Sequence, residues 1–209
     1  MLDRHLLSCR KEVREMAVVD RRQQVIKAAA KSFSLFGYKA TTMDQVAKIA
    51  NVGKGTIYTF FSNKEQLFDE ILHSVILEMK NIADREIRRD KPFFDNLQRV
   101  LDALLDFRRE HELIIKLSQE KREFGTLQAQ EGLDKIEGAI IAYLEREVEY
   151  AIRHNEIKPC DPKVISVVML KLYITLTAEL NKLHTPLSKE EIKSYFRLIL
   201  AEGLAQQTK

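Results

Sequence analysis

With 209 residues the chain has room for one good-sized domain, or for a small domain joined to a larger one. Only seven glycines and four prolines, no tryptophan and 45% hydrophobic residues exclude fibrous and low-complexity classes and favour an all-α globular protein. The net charge of +3 hides an asymmetry: residues 1–64 carry 12 Lys+Arg against 5 Asp+Glu and residues 65–209 carry 22 against 26, the pattern of a polyanion-binding head on a body with a different task.

Residues 1–19 precede the first patterned segment and carry charges throughout (Asp3, Arg4, Arg10, Lys11, Glu12, Arg14, Glu15), so they contain no apolar core of a signal peptide. They read as a solvated extension. The alternative is a basic arm of Arg4, Arg10, Lys11 and Arg14 reaching a minor groove. Cys9 and Cys160 show no metal-type spacing and no disulfide framework, which fits a reducing cytoplasm.

Asp20 with Gln23 predicts a helix start, and Val25, Ile26, Ala29, Phe33 and Phe36 make an apolar stripe that stops at Gly37. Thr42 with Gln45 forms a capping-box pattern for a second helix from about Met43, whose Met43, Val46, Ala47 and Ala50 share one face. Asn51 can end that helix in the left-handed conformation. A short third helix is expected over about Lys54 to Phe60, with Ile57 and Phe61 inward, and Ser62 with Glu65 reads as the cap of a fourth from about Asn63. Helix, tight turn, helix is the geometry that lays a second helix in the major groove of DNA.

The fourth helix is expected to continue to about Arg89, with Leu67, Phe68, Ile71, Leu72, Val75, Ile76, Met79 and Ile82 apolar on one face, until Pro92 breaks the pattern. Helices over Phe93 to about Glu110, His111 to Phe124 and about Gln128 to His154 follow. Asp161 and Pro162 start a helix to about His184 that is apolar almost all round, and Ser188 with Glu191 caps the last one. The apolar stretch Val164 to Leu180 is interrupted by Lys171 and Glu179 and is too short and polar to cross a bilayer. A helix apolar on every side needs cover on both, from its own core and from a partner subunit. Ile165, Val168, Leu172, Leu176, Tyr195 and Ile199 are the expected homodimer contacts.

From about Val25 to Leu72 the chain resembles the TetR-type transcriptional regulators, through FGYKATTM, VAKIANVGKGTIYTFF and NKEQLF at linked spacings. The resemblance implies a three-helix DNA-binding head (residues 20–66), an effector-binding and dimerisation body (residues 67–209) whose last two helices pair into a four-helix bundle, and about nine helices in all. It departs at one point: Gly53 stands where the family usually has a serine that caps the recognition helix and touches a phosphate. Glycine is still a tolerable N-cap.

Lys54, Gly55, Thr56, Thr59 and Phe60 lie on or near the exposed face of the third helix. Lys54 can donate to guanine O6 and N7, a threonine can contact thymine, and Gly55 lets the backbone approach base edges. Tyr58 and Lys64 resemble the family's phosphate contacts, and Thr42 at a helix start can bind phosphate with the free N–H groups there. These residues predict a repressor that binds a palindromic operator as a homodimer and leaves it when a small apolar or amphipathic effector enters the body. Leu104, Phe107, Phe124, Tyr143, Met169 and Tyr173 are candidate pocket residues.

Two other readings compete. A non-specific architectural DNA binder would be indifferent to sequence. A helical-bundle metalloenzyme would need more than the single ExxH of Glu70 and His73, and no second copy is present. No cofactor motif and no nucleophile motif occurs, so an enzyme is not expected.

Overall fold

The computed structural model describes residues 2–110 and 112–202, and the side chains of residues 20–107, 112–181 and 183–202. The side chains of the expected basic arm, Arg4, Arg10, Lys11 and Arg14, lie outside the described residues. Within the described residues the chain forms nine α-helices and no β-strand: α1 Leu2–Ala40, α2 Met43–Ala50, α3 Lys54–Tyr58, α4 Lys64–Glu86, α5 Phe93–Glu110, α6 Glu112–Phe124, α7 Leu127–Arg153, α8 Pro162–Ile174 and α9 Lys189–Phe196. None of these described helices is long and apolar enough to cross a membrane.

Several ends follow from single residues. Thr42 and Gln45 make the reciprocal capping box at α2, and Asn51 ends it at φ 52°. Asp161 caps α8 through the amides of Lys163 and Val164, and Ser188 with Glu191 caps α9. Three ends differ from expectation. Helix α1 begins well before Asp20, because no glycine or proline interrupts the chain ahead of Gly37. At α4 the cap is Asn63, whose side chain accepts from the Gln66 amide, and the Gln66 side chain reaches back to Ser62. Glu65, expected in the cap, is drawn off by the Tyr38 hydroxyl at 2.7 Å. Regular α8 stops at Ile174, and a π-helical turn runs over Thr175–Glu179. There the Thr177 hydroxyl donates to the Tyr173 carbonyl at 2.6 Å, a side-chain bond that competes with the helix ladder.

The chain divides into two compact units. The first comprises Met1–Ser74 and His111–Leu133, so the helix-turn-helix shares its unit with α6. Its core is built on Val25, Ala29, Phe33, Val46, Ile57, Phe61, Leu67, Phe68, Leu72 and Leu117. The rings of Phe33, Tyr38 and Phe68 cluster with centroids 4.8–5.9 Å apart.

The second unit comprises Val75–Glu110 and Asp134–Lys209. Leu101, Leu105, Val148, Ala151, Ile157, Met169, Leu176, Ile192, Phe196 and Leu200 form its core. Lys189 and Lys193 on α9 clamp Asp102 of α5, each at 2.9 Å.

Candidate nucleic-acid interface

Helix α3 is five residues long, and its position is fixed from within. Ile57 is fully buried, Phe61 follows it into the core, and the Phe60 and Phe61 amides both bond the Ile57 carbonyl. The Arg22 guanidinium sits 5.2 Å over the Phe61 ring and pairs with Glu70 at 2.9 Å. That pair places Glu70 of the ExxH in an ion pair.

The outward side of α3 carries the expected contact residues. Lys54, Gly55, Tyr58 and Thr59 are exposed, while Thr56 and Phe60 are half-buried. Tyr58 is 46% exposed, well outside the core. Gly53 caps α3 with extended backbone and no side-chain bond, and a Cβ there would meet only the Thr56 hydroxyl at 3.8 Å. A Cβ on Gly55 would meet nothing within 4 Å. Neither glycine has a positive φ, so the fold itself requires neither.

The two lysines are held differently. Lys54 donates to Asp44 on α2 at 3.0 Å, and that bond raises its pKa. Lys64 donates to the carbonyls of Tyr38 and Thr41 at 3.0 and 3.1 Å and lies 4.2 Å over the Tyr38 ring. It ties the start of α4 to the turn that leads into α2. An ammonium has three protons, so one remains for an outside acceptor. Thr42 is exposed, with its hydroxyl accepting from the Gln45 amide.

Glu120 on α6 was not legible from the sequence. It is 4% exposed, and its carboxylate accepts from the amides of Tyr38 at 2.6 Å and Lys39 at 2.9 Å. These are the amides that follow Gly37, which has φ 82° and ψ 174°, a region open essentially to glycine alone. A Cβ at position 37 would overlap the Glu120 carboxylate. The same turn is held from the other side: burial and the bond to Glu65 push the Tyr38 hydroxyl pKa well up, and that bond holds the Glu65 carboxyl below its ordinary range. Ser32 and Thr41, both buried, share a hydroxyl bond of 3.1 Å beneath it.

In the second unit, two cavities flank Tyr143 and Leu144. One of about 290 Å³ is lined by α4, α5 and α7, including Ile76, Met79, Val100, Leu104, Ile140 and Tyr143. A smaller one of about 40 Å³ includes Phe93, Leu97, Tyr143, Tyr150 and Met169. Of the expected pocket residues, Leu104, Tyr143 and Met169 therefore line a cavity. Phe107 is buried, and Tyr173 packs against the core. Phe124 lines neither: it belongs to the first unit, at the end of α6, where it is 64% exposed beneath the Lys39 ammonium.

The expected subunit contacts divide similarly. Val168, Tyr195 and Ile199 are exposed, together with Val164 and Leu198, whereas Ile165 and Leu172 are half-buried against the core. Leu176 is 5% exposed and belongs to the core, because the helical period sets it in line with Ile165, Met169 and Leu172, on the side of α8 that packs against that core.

A profile described as "Bacterial regulatory proteins, tetR family" matches residues 25–71. The chain belongs to this family of helix-turn-helix transcriptional regulators, and is not an enzyme. It is 50% identical over 187 residues to an uncharacterised HTH-type transcriptional regulator of Bacillus subtilis, YhgD, an alignment that covers 90% of this chain and 98% of that protein. A 50-residue segment, 24% of this chain and 23% of the relative, is 44% identical to the probable acrEF/envCD operon repressor of Escherichia coli. The fold matches that of SmeT, solved as a complex with triclosan, with a TM-score of 0.69 at 14% identity, covering 90% of this chain and 93% of that one.

Proposed function

We propose that this regulator is a repressor that binds a palindromic operator as a homodimer through α3, and that a small effector in the second unit releases it. The observation that carries the DNA-binding assignment is the pair of glycines at positions 53 and 55, exposed and unneeded by the fold. A bare backbone on the outside of a recognition helix has a use only when something else comes close. Residues 20–66 act as the DNA-binding head and residues 67–209 as the effector-binding and dimerisation body, working in the cytoplasm.

In this reading Lys54 leaves Asp44 to donate to a guanine edge, and Thr56, Thr59 and Phe60 make the neighbouring base contacts. Tyr58, Thr42 and the third Lys64 proton take phosphates, and the Gly53 amide stands in for the missing serine. The exposed apolar residues Val164, Val168, Tyr195, Leu198 and Ile199 meet a second copy. A two-fold dimer presents its recognition helices about 34–36 Å apart, or a further turn, and so reads an inverted repeat. Helix α4 is continuous from Lys64 to Glu86 and lines the larger cavity with Ile76, Met79, Lys80 and Ala83. An effector there acts on the helix that also carries Lys64. A coupling of ~2–3 kcal/mol would lower DNA affinity roughly 30- to 150-fold.

Selection from random oligonucleotides tests the reading and should enrich one inverted repeat that survives competitor DNA at physiological salt. Gly55→Ala should fold at least as stably as the parent and bind that repeat more weakly. Lys54→Ala should change base preference at one position of each half-site, and Lys64→Ala should weaken all sequences alike. Enrichment of no repeat by folded, dimeric protein would overturn the proposal.

A further inference from the structure

Several lysines and arginines of the second unit are paired with carboxylates where they stand. Arg89 makes two bonds to Glu147, at 2.7 and 3.1 Å, beside the smaller cavity. Arg99 pairs with Glu86, Lys171 with Glu137, and Lys189 and Lys193 with Asp102. Two of the cations that have no such pair line the larger cavity. Lys80 on α4 and Arg146 on α7 have no carboxylate within ion-pair distance among the described residues. Arg146 lies 5.1 Å over the Tyr143 ring instead. The acids near that ring are already engaged, Asp84 by the Tyr143 hydroxyl at 2.9 Å and Glu147 by Arg89.

The rest of the lining is apolar. Ile76 and Met79 come from α4, Val100 and Leu104 from α5, and Ile140 and Leu144 from α7. The space exists because small residues stand at Ala83, Ala139 and Ala142. At ~30 Å³ for each water-sized group, 290 Å³ holds about ten of them. An apolar hollow with two exposed cations free of carboxylate partners in its lining suits an apolar tail ending in an anion.

We propose that the larger cavity takes a small single-tailed amphiphile carrying a negative charge, with the tail among α4, α5 and α7 and the anionic group at Lys80 and Arg146. The proposal rests on the effector-binding role given above to the second unit, and it commits that role to a charge. A neutral or cationic amphiphile of the same length gains no attraction from those cations.

Calorimetric titration of the full-length protein, without DNA, tests it with octanoate, 1-octanol and octylammonium below their micelle concentrations. Octanoate should bind about tenfold or more tightly than octanol, and octylammonium should bind most weakly. Lys80→Met with Arg146→Met keeps the apolar stems, so octanoate should fall to the affinity of octanol while octanol is unchanged. Lys80→Glu with Arg146→Glu should reverse the order in favour of octylammonium. Ala139→Phe fills the space and should weaken octanoate and octanol together. Circular dichroism spectra and melting curves identify any variant that has not folded.

Equal affinity for octanoate and octanol in the parent, no binding of any of the three, or an octanoate preference that survives in the double methionine variant would each overturn the proposal. Operator release is measured separately. Octanoate that binds with the expected charge preference and leaves the DNA complex intact would count against effector release and not against this site.

Discussion

The two units bury their apolar side chains to different ends. In the first, the Phe33–Tyr38–Phe68 cluster is closed so tightly that a Cβ on Gly132 would already press on Phe68 and Leu72 at 3.1–3.2 Å. Its cations near α3 are held by Asp44 or by backbone carbonyls. The second keeps open space beside Tyr143 and leaves Val168, Leu198 and Ile199 outside. Dense packing transmits strain and tolerates little change, whereas cavities and uncovered faces leave a fold responsive to what fills them. A regulator needs both: one part that holds a recognition helix in a single pose, and one whose packing is completed by something else.

The contrast can be broken most severely from the tight side. Phe68→Ala should cost about 3–5 kcal/mol in denaturant unfolding, because two stacked rings and Leu72 lose their neighbour. An effect no larger than a surface substitution would mean that the cluster is not the rigid element. Next comes Glu120→Ala, which strips the amides of Tyr38 and Lys39 of their acceptor; about 1–3 kcal/mol is expected, with faster amide exchange at those two positions. Thr42→Ala removes the hydroxyl that accepts from the Gln45 amide in the α2 capping box and should cost ~1 kcal/mol, along with some DNA affinity.

The smallest effect sharpens the other side. The bond from Lys189, with that from Lys193, holds the Asp102 carboxyl below its ordinary range. The stabilisation is then complete above the ordinary carboxylate pKa of 3.8 and is lost as acid carries the pH below it, through the lowered value. Asp102 is substantially exposed, so Asp102→Asn should cost no more than ~1 kcal/mol near neutral pH. The difference from the parent should shrink in acid. Urea unfolding across the acid range checks the sign.

What could be read in advance was local chemistry. Thr42 with Gln45, Asp161 with Pro162, and Ser188 with Glu191 lie within one helical turn of the groups they serve, and the structure has all three. At α4 two residues able to cap stood side by side, and the tertiary pull of Tyr38 on Glu65 settled the choice for Asn63. Leu176 was assigned to a subunit face together with Ile165 and Leu172, and in a helix apolar almost all round the period alone does not say which side meets the core. Glu120 gave no signal, because a carboxylate in the run SQEKREF resembles any solvated stretch until Gly37 is brought against it. The unpaired state of Lys80 and Arg146 was invisible for the same reason: pairing is a property of neighbours from other helices.

The turn at Gly37 has a consequence for how this chain can change over generations. Its backbone conformation disfavours any side chain, and the Glu120 carboxylate occupies the volume where one would begin. A mutation at position 120 to something shorter does not release position 37, since the dihedral strain stays. Replacement of the glycine evicts the acid at once. The tolerance is one-directional, so descendants of this chain should vary at 120 well before they vary at 37.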